Sequence, residues 1–273
     1  MSDFDATPAT WPVQDEVTGE VVSDPDGFPI AELEAQDYLE LTNSVSLEER
    51  AAGERAWRFG HVIVDEAQDL TPMQWRMVTR RARGHSMTIV GDLAQRSTGE
   101  PGAWSDILPP ELGEVPRFDL STNYRSPEEV GEVAARVLAQ LAPDLEAPNA
   151  IRSSGHPVEF LALSKLSEVH GLVDTALDRL EEGRVAVVGP DATIGALAPE
   201  DPDARVSWLS ARAAKGMEFD SVIVIEPGRI LEEENGLSLL YVALTRTTDH
   251  LLVAHTGSLP DVCLLYTSDA ADD

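Results

Sequence analysis

Apolar residues along the chain alternate between short continuous runs and stretches with helical spacing. The continuous runs predict strands at 61–65, 87–91, 117–120, 157–163, 184–189, 205–210, 221–226 and 250–255. The helical spacing predicts one or two helices within 31–59 and further helices at about 71–83, 127–141, 166–182 and 236–247. Because strands and helices alternate, we expect an α/β protein with parallel strands covered by helices on both faces.

Length and composition are those of a globular protein. The chain has 273 residues, of which 42% are hydrophobic, enough for one large or two modest cores. It contains no apolar run long enough to predict a membrane span, and its acidic N-terminus is unlike a secretory signal. The only cysteine, Cys263, excludes an intramolecular disulfide and fits a reducing compartment, so we expect a cytoplasmic protein without membrane contact.

The net charge is strongly negative. The chain carries 49 acidic and 20 basic residues, a balance of −29, and residues 1–50 hold 13 acids and one base. Because affinity for phosphate backbones comes mainly from Lys and Arg, bulk attraction to nucleic acid is not expected. Such a charge favours either a local nucleic-acid track or a protein partner with a basic surface, and it also suits a solvated, soluble surface.

The segment HVIVDEAQDL at 61–70 is the most informative part of the sequence. An apolar strand there delivers Asp65 and Glu66 at its carboxyl end. Such acids can hold a magnesium ion and polarise an attacking water beside a nucleotide phosphate. The alternative interpretation is an ordinary buried strand followed by an acidic loop.

Four further segments carry polar groups at the ends of predicted strands or helices. They are MTIVGDLAQRS at 87–97, LSTNYRSPEEV at 120–130, SARAAKGMEFDSVIVIEP at 210–227 and LLYVALTRTTDHLLV at 239–253. Gln95 could report on a terminal phosphate, Tyr124 could stack on a base, and Arg125 could hold phosphate oxygens. His61, His85, His250 and His255 lack the spacing of metal ligands, so the sequence predicts no zinc site.

In order and spacing, these five segments resemble the signatures of the UvrD/Rep-like branch of superfamily 1 helicases, over about residues 55–256. The resemblance implies ATP as the nucleotide and Mg²⁺ as the metal, with Asp65 as the magnesium ligand. It implies Glu66 as the general base, Gln95 as the γ-phosphate sensor, and Arg125 and Arg246 as arginine fingers. It further implies nucleotide contacts by Tyr124 (base), Glu218 (ribose) and Gly216 (close backbone approach).

The resemblance also implies an architecture of two RecA-like parallel-sheet lobes of the P-loop NTPase type. We expect an acidic lead-in with helices at 1–54, an incomplete first lobe at 55–120 and a second lobe at 121–262. The final residues, 263–273, continue no periodic element and are expected to be a non-native tail.

No GxxxxGK[ST] phosphate loop occurs in the sequence, and its only lysines are Lys165 and Lys215. The phosphate-cradling half of the ATP site is therefore absent from this sequence. We expect the chain to be the C-terminal part of a longer motor and to hydrolyse ATP negligibly by itself.

Within the helicase branch, the segment GDLAQRSTGEPGAWSDI at 91–107 distinguishes two classes. A DNA-unwinding helicase is expected to carry an aromatic soon after the glutamine for stacking on bases, whereas here Trp104 is delayed. The sequence of this segment is most similar to the HelD/HelR class, which are ATPases that release RNA polymerase from nucleic acid. The leading interpretation is therefore an ATPase whose partner is RNA polymerase. The alternative is a 3′-to-5′ DNA helicase with DNA or RNA as its partner. A third class is an interaction protein without catalytic activity.

Overall fold

The computed structural model describes residues 58–97, 99 and 102–263. The helices predicted within 31–59 fall almost wholly outside the described residues, as do the lead-in at 1–54 and the last ten residues of the chain.

Nine strands and seven α-helices are formed by the described residues. The strands are β1 (Val62–Val64), β2 (Met87–Ile89), β3 (Thr122–Asn123), β4 (Asn149–Ala150), β5 (Glu159–Ala162), β6 (Val185–Gly189), β7 (Val206–Ser210), β8 (Phe219–Ile225) and β9 (Thr247–His255). The helices are α1 (Pro72–Arg81), α2 (Trp104–Ile107), α3 (Glu128–Leu141), α4 (Val169–Arg179), α5 (Asp191–Leu197), α6 (Pro227–Leu231) and α7 (Gly236–Leu244).

The first sheet pairs β1 with β2 in parallel, with Val62 opposite Met87. Helix α1 makes the crossover between them and begins with a capping box, in which Thr71 and Gln74 satisfy each other's backbone N–H groups. The side chain of Trp75 on this helix is buried against Val64 and Ala67. One face of the sheet is therefore covered by its own crossover helix.

The large sheet contains five parallel strands in the order β5-β9-β8-β6-β7. Every residue of the interior strand β6 is buried, because helices cover both faces of the sheet. Ala186 and Val188 pack in one cluster with α3 and α7, whereas Val185 and Val187 pack in another with α4 and α5. A further two-stranded parallel sheet pairs β3 with β4.

The pairing of β8 with β9 contains an irregularity near the start of both strands. Phe219 lies opposite Thr247, but Ser221 lies opposite His250, so three steps along β9 match two steps along β8. The extra residue is a β-bulge, which turns side chains away from strict alternation. The Thr247 hydroxyl stabilises it by accepting from the Asp249 N–H at 3.2 Å and donating to the His250 carbonyl at 2.8 Å.

The predicted fold class is confirmed: the described residues form a mixed α/β structure with parallel sheets, consistent with RecA-like lobes. The strand predicted at 117–120 is wrong, because this segment has no regular structure, and Phe118 and Leu120 are each 86% exposed. Helices α2, α5 and α6 and the two-residue strands β3 and β4 were not predicted. Cys263 is a free thiol in the core, where burial raises its pKa to about 11.

Among the described residues, no helix combines the length and the apolar character needed to cross a membrane.

Candidate functional site

Two acids stand at the carboxyl end of β1. Asp65 is exposed, and its Oδ1 accepts the backbone N–H of Glu66 at 2.8 Å. Glu66 has a left-handed backbone, with φ 50° and ψ 38°. A non-glycine residue in this conformation is strained and needs support from its surroundings, and such positions cluster at functional sites.

The support for Glu66 comes from Gln68, whose side chain is buried. Gln68 donates from Nε2 to Glu66 Oε2 at 2.6 Å and accepts from the Asp92 N–H at 3.1 Å. A Cβ at Gly91 would lie 2.3 Å from Gln68 Oε1, so only glycine leaves room for this amide. Gln68 therefore ties the loop after β1 to the loop after β2. Sequence reasoning did not single it out, although it lies within the motif DEAQD.

Gln95 and Arg246 are joined although they lie far apart in the sequence. Gln95 donates to Asp92 Oδ2 at 2.8 Å, which leaves its amide oxygen to accept from the Arg246 guanidinium at 3.1 Å. Arg246 is only 2% exposed and also donates to the Val242 carbonyl and the Thr245 hydroxyl. Burial, together with nearby Arg125, lowers the pKa of Arg246, and Glu66 and Asp92 partly oppose this. Because a guanidinium stays protonated in proteins, the result is a buried positive charge aimed at Gln95.

Lys215 is the second cation of the site. Its Nζ lies 2.5 Å from Asp69 Oδ2, 2.5 Å from the Gln95 carbonyl and 3.5 Å from Glu66 Oε2. Gly216 follows with φ 73°, and a Cβ there would lie 3.9 Å from Glu66 Oε1. Lys215 is thus a bridge between the motif DEAQD and the segment before β8, a role that sequence reasoning missed.

Arg125 and Glu218 form an ion pair in which both side chains are partly exposed. The backbone carbonyls of Tyr124, Arg125 and Thr248 accept from the single side chain of Arg152. The ring of Tyr124 itself is 71% exposed. Arg152 therefore stabilises the turn after β3 through its backbone carbonyls, and the ring of Tyr124 stays accessible.

The structure links Glu66, Gln95 and Arg246 into one network through Lys215, and it places Arg125 and Glu218 in a separate ion pair. Glu66 is linked to Gly216 through Lys215, Gln95 contacts Arg246, and Arg125 contacts Glu218. Asp65 adjoins this network through the Glu66 backbone, and Tyr124 is the sequence neighbour of Arg125 in the separate ion pair. The roles expected for these residues remain predictions.

Residues 30–96 match the family model of the UvrD/REP helicase N-terminal domain. The chain is also 28% identical to DNA helicase IV of Escherichia coli (strain K12) over 181 residues, which cover 60% of this chain. The chain is similar to UvrD-like superfamily 1 helicases. A second relative, a probable DNA helicase of Mycoplasma pneumoniae (strain ATCC 29342 / M129 / Subtype 1), is 28% identical over 229 residues, which cover 71% of this chain.

The chain spans 26% of the length of the Escherichia coli helicase and 43% of the length of the Mycoplasma pneumoniae protein. Among solved structures, the C-terminal domain of a possible DNA helicase from Lactobacillus plantarum WCFS1 matches at 24% identity and a TM-score of 0.38. That match covers 52% of this chain and 92% of the other.

Proposed function

We propose that this chain supplies a large part of the ATP site of a superfamily 1 motor, a helicase- or translocase-like ATPase. In this proposal ATP binds with Asp65, Glu66 and Gln95 on one side of its phosphates. Arg246 and Arg125 lie on the other side, and Glu218 contacts the ribose.

The observation that carries the proposal is the contact of the buried Arg246 guanidinium with the Gln95 amide, 3.1 Å apart. A buried cation held next to a neutral amide suits a terminal phosphate, because the phosphate can replace one hydrogen bond with two charge-assisted ones. Asp65 and Glu66 lie on the loop after β1, and Gln68 ties this loop to the loop after β2, which carries Gln95. The site thus combines carboxylates that can bind a metal ion and activate water with cations that can stabilise the negative charge developing on the phosphate.

The donor chemistry of Asp65 fits a magnesium ion, since its exposed carboxylate offers hard oxygen atoms. When bound, magnesium would neutralise phosphate charge beside this carboxylate. Glu66 would orient and deprotonate the attacking water. Before it can do so, it must be released from Lys215, which lies 3.5 Å from its carboxylate.

The Glu66→Gln variant tests this function in the chain joined to a segment that carries a phosphate loop. We expect Mg-ATP binding within about twofold of the parent and a fall in turnover of at least about 10²-fold, because the amide cannot accept the proton. Glu111→Gln, an exposed acid outside the network, is the matched control and should hydrolyse ATP normally. Normal turnover by Glu66→Gln would remove Glu66 from the base role.

For the partner, we propose RNA polymerase as in the HelD/HelR class, with a DNA helicase as the alternative. Trp104 favours the first, because its side chain is partly buried against the cluster of Val64, Ala67 and Trp75. An indole packed in this way has only part of its surface available to an unstacked base. The charge of −29 also favours a partner with basic protein surface over a DNA track.

Turnover of the completed protein with single-stranded DNA or with RNA polymerase separates the two partners. Stimulation by RNA polymerase and indifference to DNA is the expected result. Strong stimulation by DNA alone, falling steeply with salt, would favour the helicase alternative.

A further inference from the structure

A second cluster of polar side chains lies outside the network around Arg246. It consists of His156 before β5 and of Asp249 and His250 at the start of β9. The ligand atoms that these three side chains offer all lie within 4.8 Å of one another. The rings of His156 and His250 have centroids 4.1 Å apart and an interplanar angle of 34°.

The β-bulge at the start of β9 explains why two sequence neighbours can serve one site. In a regular strand, Asp249 and His250 would point to opposite faces of the sheet. The extra residue between Thr247 and His250 breaks this alternation. As a result, His250 Nε2 lies 3.5 Å from Asp249 Oδ2.

That separation matches the geometry of a metal site. Ligand atoms bound at about 2.0–2.2 Å in a tetrahedral zinc site lie roughly 3.3–3.6 Å from one another. Side-chain rotation of His156, which is exposed, can shorten its remaining distances to the other two ligand atoms. Arg179 lines the same cavity as His156 and is paired with Glu159 at 2.8 Å, so its repulsion of a cation is reduced. His156, Glu159, Arg179 and His250 also line one cavity, which gives an ion access from solvent.

We propose that His156, Asp249 and His250 form a binding site for a divalent transition-metal ion, with Zn²⁺ as its occupant. Two imidazoles and one carboxylate are a ligand set that zinc uses with a fourth, open position. The bound ion would cross-link the segment before β5 to the start of β9. Its ligand Asp249 lies three residues after the buried Arg246. The sequence predicts no zinc site here, because local spacing does not connect His156 with His250, which lies 94 positions away.

Zinc binding to untagged, chelator-treated protein tests the site, measured at pH 7.5 by competition with a chromophoric chelator. We expect one equivalent of Zn²⁺ per chain and, with Co²⁺ in its place, visible absorption of a low-coordinate site. His156→Gln and Asp249→Asn should each weaken zinc binding by at least about tenfold, since even loss of an outer partner costs 10–100-fold. His85→Gln, the same substitution at an exposed histidine elsewhere, should leave affinity unchanged.

His156→Gln decides the outcome, because removal of an exposed side chain before β5 should leave the metal-free melting temperature unchanged. The proposal is overturned if the parent binds less than one tenth of an equivalent. It is equally overturned if His156→Gln and His85→Gln bind zinc as the parent does. None of these readouts depends on ATP, so the result is independent of the proposed motor function.

Discussion

Asp69 is the carboxylate that holds Lys215 in the network. It accepts from Lys215 Nζ and from both the backbone N–H and the hydroxyl of Ser97. Burial raises the pKa of Asp69, but the hydrogen bond from Lys215 and those from Ser97 outweigh it, so the pKa lies below the usual 3.8. A carboxyl with a lowered folded-state pKa stabilises the protein above the unfolded-state pKa, and this contribution is lost as the pH falls.

We therefore predict that Asp69→Asn lowers the free energy of unfolding at pH 7 by about 1–3 kcal/mol, the loss of a partly buried, charge-assisted contact. The difference from the parent should shrink as the pH falls below 3.8 and then through the lower folded-state pKa, because the parent carboxyl is protonated first in the unfolded and then in the folded protein. Urea unfolding at a series of pH values measures it. Asp119→Asn, at an exposed ion pair with Arg117, is the control and should change stability little. A difference that is constant with pH would contradict this account.

Individual site residues could be found from the sequence, but their contacts could not. Gln95 and Arg246 each stand out within a motif, yet their hydrogen bond joins positions 151 residues apart. The same holds for Lys215 and Asp69, at a separation of 146 residues. Such pairs depend on how the sheets are placed relative to each other, which local periodicity does not describe. Gln68 escaped notice because a buried amide and a solvated one look the same in a sequence.

Every residue of helix α7 except the partly buried Leu237 is buried, and the first residue of the helix is Gly236. A Cβ at this position would lie 2.4 Å from the Leu231 carbonyl oxygen and 2.6 Å from its carbon. These are backbone atoms, so they cannot turn aside as a flexible side chain can. Glycine is therefore required where α7 passes the end of α6.

Gly236→Ala should accordingly lower the free energy of unfolding by about 1–3 kcal/mol, the usual cost of overpacking. Gly195→Ala in α5 is the matched control, because a Cβ there meets nothing within 4 Å. Since alanine favours a helix over glycine, Gly195→Ala should stabilise by up to about 1 kcal/mol. Urea denaturation of both variants measures the difference. Equal stability of the two variants would show that the backbone at Leu231 yields to the added methyl.

The elements that the sequence predicts well are those with a continuous apolar run. Strands β6 and β8 were expected because strands buried on both faces are apolar throughout. Helices α5 and α6 were missed, since seven and five residues are too few for a helical period to show. The apolar residues of 117–120 predicted a strand that is absent, because Phe118 and Leu120 face solvent.

Across the molecule, the five-stranded sheet and the β1-β2 sheet differ in how well they are covered. Strand β6 is buried on both faces, whereas in β1 the side chain of Ile63 is 72% exposed. A sheet with few buried apolar contacts opens at lower free energy than the core of the molecule. We predict that backbone amides of β1 and β2 exchange with deuterium well before those of β6 and β8. Hydrogen exchange followed by mass spectrometry checks this order, and equal protection of both sheets would contradict it.

Five side chains from the later part of the chain donate to the short segment 94–97. They are those of Ser238, Lys215, Arg246, Asn235 and Arg212. All five hydrogen bonds end on so few residues that moving the segment away by the length of one hydrogen bond would break them together. The junction would then have two states, one with all five hydrogen bonds formed and one with none, and it would not lengthen gradually.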